Sequence, residues 1–472
     1  MQSDHPKRGA SLKRALGLTS GTLLVVGLLI GSGVFKKIVP MSQTGLGGEA
    51  IIAAWIVAGA ISLFGALTIS GLASLTEDSG GMYEYFRIAY GNFMAFLSGW
   101  ADFVIVGPAG IAALSFLFAQ IINSIVPLPN PMDAWADVSI AGFIYPFRDS
   151  GIKLVGVTSI VTLTLINMLG VRASGVVNNI ITSAKIFGLF ILIAFGLLYK
   201  VPDTASEASS NLLSGVPLYS AFLTSMLGAF WAYHGWDIAA NISGEMVNPR
   251  RNVPLAMTLG VLISMLIYVL TNFTFLRVMP VEVFRSLGEG DIGAFAVADL
   301  LFGDFGKTFL VMLLMISVFG ALNSNVIAVP RKSFRMAEEG YFFATVKKIH
   351  PNFRTPYMAL FFTMAGSVVL LLTGSFDMLT DMLVFTIFLF YGLLSLAVLR
   401  MKRNGAIQAR VIGYPVIPLI FLLFSVVFTI NTIIVQPKQT VFALLLIASG
   451  LPFYWQFRKS VKASSVSEVD PE

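Results

Sequence analysis

The chain has 472 residues, 56% of them hydrophobic and 12% charged, with a mean hydropathy of +0.82. A soluble protein of this length carries about 25% charged residues, so a water-soluble globular fold is excluded, and apolar runs that continue instead of alternating exclude a transmembrane β-barrel. The net charge of +6 follows from its distribution along the chain and is no nucleic-acid signal, and the lack of cysteine excludes structural disulfides, thiolate metal sites and thiol catalysis.

Residues 1–15 form a polar tail in which Lys13-Arg14 precede an apolar run. No small-x-small cleavage site in a polar stretch follows, so the run is a retained first helix. Apolar runs of 18 or more residues recur along the chain, which marks a polytopic helical membrane protein. Short Gly, Pro, Asn and charged punctuation divides them into twelve spans, 16–44, 49–75, 92–126, 154–171, 176–200, 217–247, 254–279, 305–336, 357–375, 378–400, 413–435 and 439–457. With the N-terminus inside, the inner segments hold 21 Lys and Arg against 9 in the outer ones, with Lys185 inside a span. That bias predicts cytoplasmic N- and C-termini. The densest cluster, "RKSFRMAEEGYFFATVKKIHPNFRTP" at 331–356, is then a solvated cytoplasmic loop.

Span one contains "LLIGSGVFKK", Leu28 to Lys37, which places Gly31 and Gly33 inside a membrane-length helix. Each glycine costs about 1 kcal/mol in a helix. Gly27 and Gly31 could form a small-residue packing face, or the glycines could mark a kink. Span six reads "AFWAYHGWDIAANISGEMVNPRRN", with Tyr233, His234, Gly235, Trp236 and Asp237 in the middle of an otherwise apolar helix. Spans one and six, five apart, are therefore both interrupted, the sequence pointer to an inverted-repeat transporter with a midplane site. Spans three and eight are both long, and each has glycine near its middle (Gly107-Pro108 with Gly110, and Gly320). A broken helix offers N–H groups and a positive dipole end on one half, and C=O groups and a negative end on the other. A zwitterionic amino acid carries the complement of both on one carbon.

At these residues the chain resembles the amino acid–polyamine–organocation superfamily, and within it the L-type amino acid transporter family. "IGSGVF" is similar to that family's carboxylate-binding motif. "WAYHGWDIAANISGEMVNPRRNVPLAM" is similar to its sixth span and following loop. "FGALNSNVIAVPRKSFRMAEEGYFF" with "IHPNFRTP" resembles its eighth span and cytoplasmic loop, and "SAKIFGLF" matches its central lysine. The resemblance implies an all-α integral membrane protein of twelve transmembrane helices. Its arrangement would be a LeuT-type 5+5 inverted repeat (16–200 and 217–400) with helices 1 and 6 broken. Two extra helices at 413–457 and a cytoplasmic tail at 458–472 would follow. It also implies that the amides of Gly31, Ser32 and Gly33 bind the substrate carboxylate. Carbonyls near Leu29 and Ile30, and along the run Phe230, Trp231, Ala232 to His234, would take the amino group, with Trp231 as an aromatic lid and gate. A packing role is the plain alternative for Trp231. Lys185 is implied to stand where sodium-coupled relatives bind their ion, with Ser324 and Asn325 as its nearest polar candidates in span eight. A cation at this depth needs a partner or cavity, unless it snorkels to the cytoplasmic surface, and a proton-coupled role is open to it.

Two departures bear on specificity. His234 stands where some relatives have glycine and some carriers of cationic amino acids have an acid, which argues against arginine or lysine as substrate. Animal relatives attach to a heavy-chain glycoprotein through an extracellular cysteine, so no disulfide-linked heavy-chain subunit is expected. Asp237 could pair with Asn241, cap the second half-helix or contact Lys185. Glu245 could pair with Arg250 or Arg251 in an inner gate, or cap a helix end. No metal-ligand cluster, phosphate loop or nucleophile–base pair is present, so neither a cofactor nor enzyme activity is expected. The reading is a sodium-independent exchanger of neutral L-amino acids in a plasma membrane, with a bacterial inner membrane as the leaning. A proton-coupled importer and a non-transporting amino acid sensor are the alternatives.

Overall fold

Backbone away from water must satisfy its own N–H and C=O groups, so the apolar runs fold as helices. The computed structural model describes residues 16–73, 75–76, 81–170, 175–200, 217–241, 243, 246–288 and 290–467. The N-terminal tail, Glu245 and the end of the C-terminal tail lie outside these residues. The chain starts with α1 (Leu18–Leu29), α2 (Gly33–Lys36) and α3 (Ile38–Gln43), followed by α4 (Gly48–Ala73), α5 (Gly81–Tyr90) and α6 (Asn92–Ala101). A π-turn at Asp102–Val106 joins α6 to α7 (Gly107–Ile125). Next come α8 (Ser150–Met168), α9 (Gly175–Leu198), α10 (Leu218–Ala232), α11 (Ile238–Asn241), α12 (Pro249–Val278) and α13 (Val281–Ser286). The remainder is α14 (Gly293–Ala328), α15 (Pro330–Glu338), α16 (Tyr357–Thr373), α17 (Phe376–Arg403), α18 (Val416–Val435), α19 (Pro437–Ala448) and α20 (Gly450–Ser467).

Among the described residues nine helical segments are long and apolar enough to cross a membrane, and three shorter apolar helices (Ser183–Leu198, Leu218–Ala232 and Tyr357–Thr373) accompany them. Each predicted span overlaps one of these twelve, with starts that differ by up to a dozen residues. The chain is a multi-pass helical membrane protein. Its outer surface is consistent with lipid: Phe305 is 81% exposed and Leu445 64%, which in water would leave large apolar groups unburied.

The inner helices carry the site. α12 packs on α4 and on α1, α10 packs on α4 and α17, and α14 packs on α7 and α9. The short α13 docks on α3, held by Arg285, which donates to Ser42 O (3.2 Å) and Leu46 O (3.3 Å). Gln43 Nε2 adds a bond to Leu287 O at 2.9 Å.

Candidate functional site

The first predicted interruption is a break in the helix. α1 ends at Leu29, Ile30 leaves the helix at ψ 72°, and α2 restarts at Gly33. Ile30 N–H still reaches Val26 O at 2.8 Å, but the amides of Ser32, Gly33 and Val34 meet no acceptor among the described residues. They form a cluster of bare donors at the positive end of α2. Span six breaks the same way. α10 ends at Ala232, and Tyr233–Asp237 turn before α11 begins. Gly235 sits at φ +112°, a conformation that a side chain would strain.

The two breaks touch. A Cβ added at Gly33 would lie 2.5 Å from Ala232 Cβ and 2.7 Å from Ala232 Cα. Any side chain there would push the breaks apart, which gives the second glycine of the motif a steric reason. Ser32 Oγ accepts from Trp231 Nε1 at 3.3 Å, which fixes the indole across the first break. Trp231 is 9% exposed, and its ring meets Phe376 of α17 edge-on with centroids 6.0 Å apart.

The residues named from sequence divide. Leu29, Ile30, Gly31, Ser32, Gly33, Trp231 and Ala232 come together at the paired breaks. Phe230 directly precedes them, and its ring packs against Phe388 (4.3 Å between centroids) and Phe428 (5.1 Å) of α17 and α18. His234 lies in the second break, with Nδ1 buried and without a hydrogen-bond partner. Lys185 is 4% exposed, and its ammonium donates to Gly27 O of α1 at 3.4 Å. Ser324 and Asn325 bond backward along their own helix, to Gly320 O and Ala321 O (both 2.9 Å), and the structure gives neither a hydrogen bond with Lys185. Asp237 likewise makes no ion pair with Lys185.

Sequence reasoning missed Tyr268. From α12 its hydroxyl hydrogen bonds to Leu29 O at the first break and to Ala232 O (3.0 Å) at the second. A phenol has one proton, so the two carbonyls share it. Tyr268 therefore ties together the carbonyl ends of both breaks. It is fully buried, with Tyr233 (centroids 5.0 Å) and Trp55 (5.4 Å) packed edge-on around it.

Two groups of polar contacts lie near the breaks. On the α13 side Lys37, 1% exposed, donates to Asp377 (2.5 Å) and Thr380 (2.7 Å) of α17. Its ammonium also stands 4.8 Å from the centroid of the Phe376 ring that backs Trp231. On the 331–356 side Lys332 of α15 pairs with Asp102 of the π-turn at 2.7 Å. Tyr83 of α5 donates to Glu339 at 2.9 Å, and burial beside that carboxylate pushes the phenol well above its usual range, so it stays a donor.

Comparisons with known proteins give the family. Residues 16–454 match the family model described as amino acid permease. Over 95% of this chain and 98% of the relative, the sequence is 31% identical to the serine/threonine exchanger SteT of Bacillus subtilis. It is 29% identical to the human b(0,+)-type amino acid transporter 1, over 97% of this chain and 90% of the relative. The human cystine/glutamate transporter is 26% identical over 94% and 85%. With bare amides and carbonyls paired at two helix breaks, and a family match over nearly its whole length, this chain belongs to the amino acid permease family of transporters.

Proposed function

We propose that this protein exchanges neutral L-amino acids across a membrane, independently of sodium, by alternating access. The observation that carries the reading is the contact between the breaks. The amides of Ser32, Gly33 and Val34 suit a carboxylate, and the carbonyls near Leu29 and from Trp231 onward suit an ammonium. Gly33 against Ala232 brings the two sets within the span of one α-amino acid. In this reading the amides of Ser32, Gly33 and Val34 hold the carboxylate, since Gly31 N–H is already bonded to Leu29 O at 2.6 Å, and Trp231 covers the substrate. Tyr268 hands its two carbonyls to the incoming amino group.

Lys185 supports sodium independence. Its ammonium, held against the Gly27 carbonyl, supplies beside α1 the fixed positive charge that a coupling cation would bring. The name of one relative, the serine/threonine exchanger SteT, supports exchange and small neutral side chains. A histidine at 234 disfavours cationic substrates, since its protonated form would repel them.

The fold we infer is the LeuT-type pair of five-helix inverted repeats with two further helices, and the membrane a bacterial inner membrane. The Lys and Arg bias sets both termini in the cytoplasm. The Lys37–Asp377 pair is then the outer seal and the Lys332–Asp102 pair the inner one. Alternating access consists of opening one while the other holds. A chain without cysteine forms no disulfide with a heavy-chain subunit, so we assign transport to this chain alone.

The test is uptake of labelled serine, alanine or leucine into proteoliposomes in sodium-free buffer at symmetric pH, comparing vesicles preloaded with unlabelled amino acid against empty ones. Uptake confined to preloaded vesicles is the expected result. Uptake into empty vesicles that rises with an imposed proton gradient, and loses that dependence in Lys185→Ala, would replace exchange with proton coupling. Binding without flux across the panel would make the protein a sensor.

A further inference from the structure

The second break has a small cavity behind it, on the side of α4, α17 and α18. It is lined by Ser62 of α4, Phe230 and His234 of the broken span, Phe388 and Tyr391 of α17 and Phe421 of α18, and has room for about one water molecule. Its walls are aromatic, yet three polar groups converge on it. Tyr391 is 3% exposed, and its hydroxyl has no hydrogen-bond partner among the described residues. His234 Nδ1 is buried and likewise without one. Ser62 is 4% exposed, and its hydroxyl bonds to nothing among the described residues.

Buried polar atoms in native proteins nearly always have a partner, in protein or ordered water. Leaving one unmade costs more than a typical hydrogen bond gains. Two such atoms on one cavity, Tyr391 Oη and His234 Nδ1, with Ser62 beside them in its wall, therefore mark a built site and not a packing defect. A cavity of this size, with two to four polar groups in reach, suits a single water molecule, whereas an apolar cavity stays dry.

We propose that this cavity is a hydration site holding one ordered water that joins the unwound part of span six to α4 and α17. Tyr391 donates to the water oxygen, and the water donates to His234 Nδ1 and to Ser62 Oγ. All three groups are then satisfied. His234 becomes an acceptor at Nδ1, so as a neutral imidazole it carries its proton on Nε2. The water thereby fixes which face of the histidine is a donor, and it links the turn to two helices that make no hydrogen bond to His234 themselves.

The chain has three histidines, so full-length protein carrying His5→Gln and His350→Gln leaves His234 as its one imidazole. Nitrogen-15 NMR of that protein, histidine-labelled and in lipid bilayers, reads the protonation of each ring nitrogen. We expect an unprotonated Nδ1 that receives polarisation from a bound water, and a resonance that shifts in Tyr391→Phe. Ser62→Ala, which removes a different anchor, should also shift it and serves if the first variant folds poorly. A protonated Nδ1, an Nδ1 that receives no polarisation from water, or a resonance unmoved in the folded variants would each overturn the proposal.

Discussion

At the first break, Ile30–Ser32 between α1 and α2, with Gly33 opening α2, the chain offers little but backbone: an isoleucine, two glycines, a serine and bare amides. At the second, Tyr233–Asp237 between α10 and α11, it offers a tyrosine, a histidine, a tryptophan and an aspartate, with the Trp231 indole just before them. In the proposed reading the difference follows from two tasks. Every amino acid carries the same carboxylate, so a break that reads it needs amides at fixed positions and room for close approach. Glycine supplies both. The opposite break must hold an ammonium and also cover and line the substrate, which needs side chains. One break reads what all amino acids share, and the other has the means to discriminate.

Changes at the shared contact should break this division most severely. Gly33→Ala puts a methyl carbon 2.5 Å from Ala232 Cβ, which forces the breaks apart. Exchange rates in proteoliposomes should fall by roughly 100-fold or more, the scale of a displacement of about 1 Å at a reacting site. The analogous Ala232→Gly keeps the contact and should retain much of the activity.

The Lys37–Asp377 pair comes next. Asp377→Asn leaves Lys37 buried without its counter-charge. It should cost about 3 kcal/mol, the lower end for a broken buried pair, because Asp377 is 24% exposed. Thermal unfolding in detergent measures this. A Lys37→Met/Asp377→Leu double variant should recover most of the stability while leaving the outer path less firmly closed.

Tyr268→Phe removes the one proton that ties Leu29 O to Ala232 O. A hydrogen bond of about 1.4 kcal/mol corresponds to a tenfold effect, so a rate loss on the order of tenfold is expected with little change in thermal stability. Trp231→Phe keeps an aromatic cover but deletes the bond to Ser32 Oγ at 3.3 Å. A loss of a few-fold, seen mainly as weaker apparent affinity, would mark the indole nitrogen as a positioning contact, and the lid itself as the ring.

Both breaks were legible in the sequence because glycine and polar residues inside a membrane-length apolar run have a high energetic cost, and cost marks position. The contacts that organise them were not. Tyr268 sits in "SMLIYVLTNF", where periodicity cannot separate a hydroxyl that spans two carbonyls from an aromatic that only packs. Lys37 and Asp377 are 340 positions apart, and nothing in either neighbourhood names the other. Ser324 and Asn325 illustrate the converse limit. A polar side chain in a span can satisfy itself on the carbonyl four residues back, as both do, so polarity at the right depth does not identify a partner for Lys185. Phe230 belongs to the predicted run, but its ring turns to the aromatic cluster of α17 and α18.

The central claim is that the two breaks together read both charges of one α-amino acid. It is tested most directly by competition against labelled serine with two near-isosteric analogues. One is an amide that has lost the carboxylate charge, and the other a 2-hydroxy acid that has lost the ammonium. Charge-assisted hydrogen bonds contribute about 1.5–3 kcal/mol each, so losing either set should weaken competition by roughly 100-fold or more. An analogue lacking one charge that competed as well as serine itself would contradict the account.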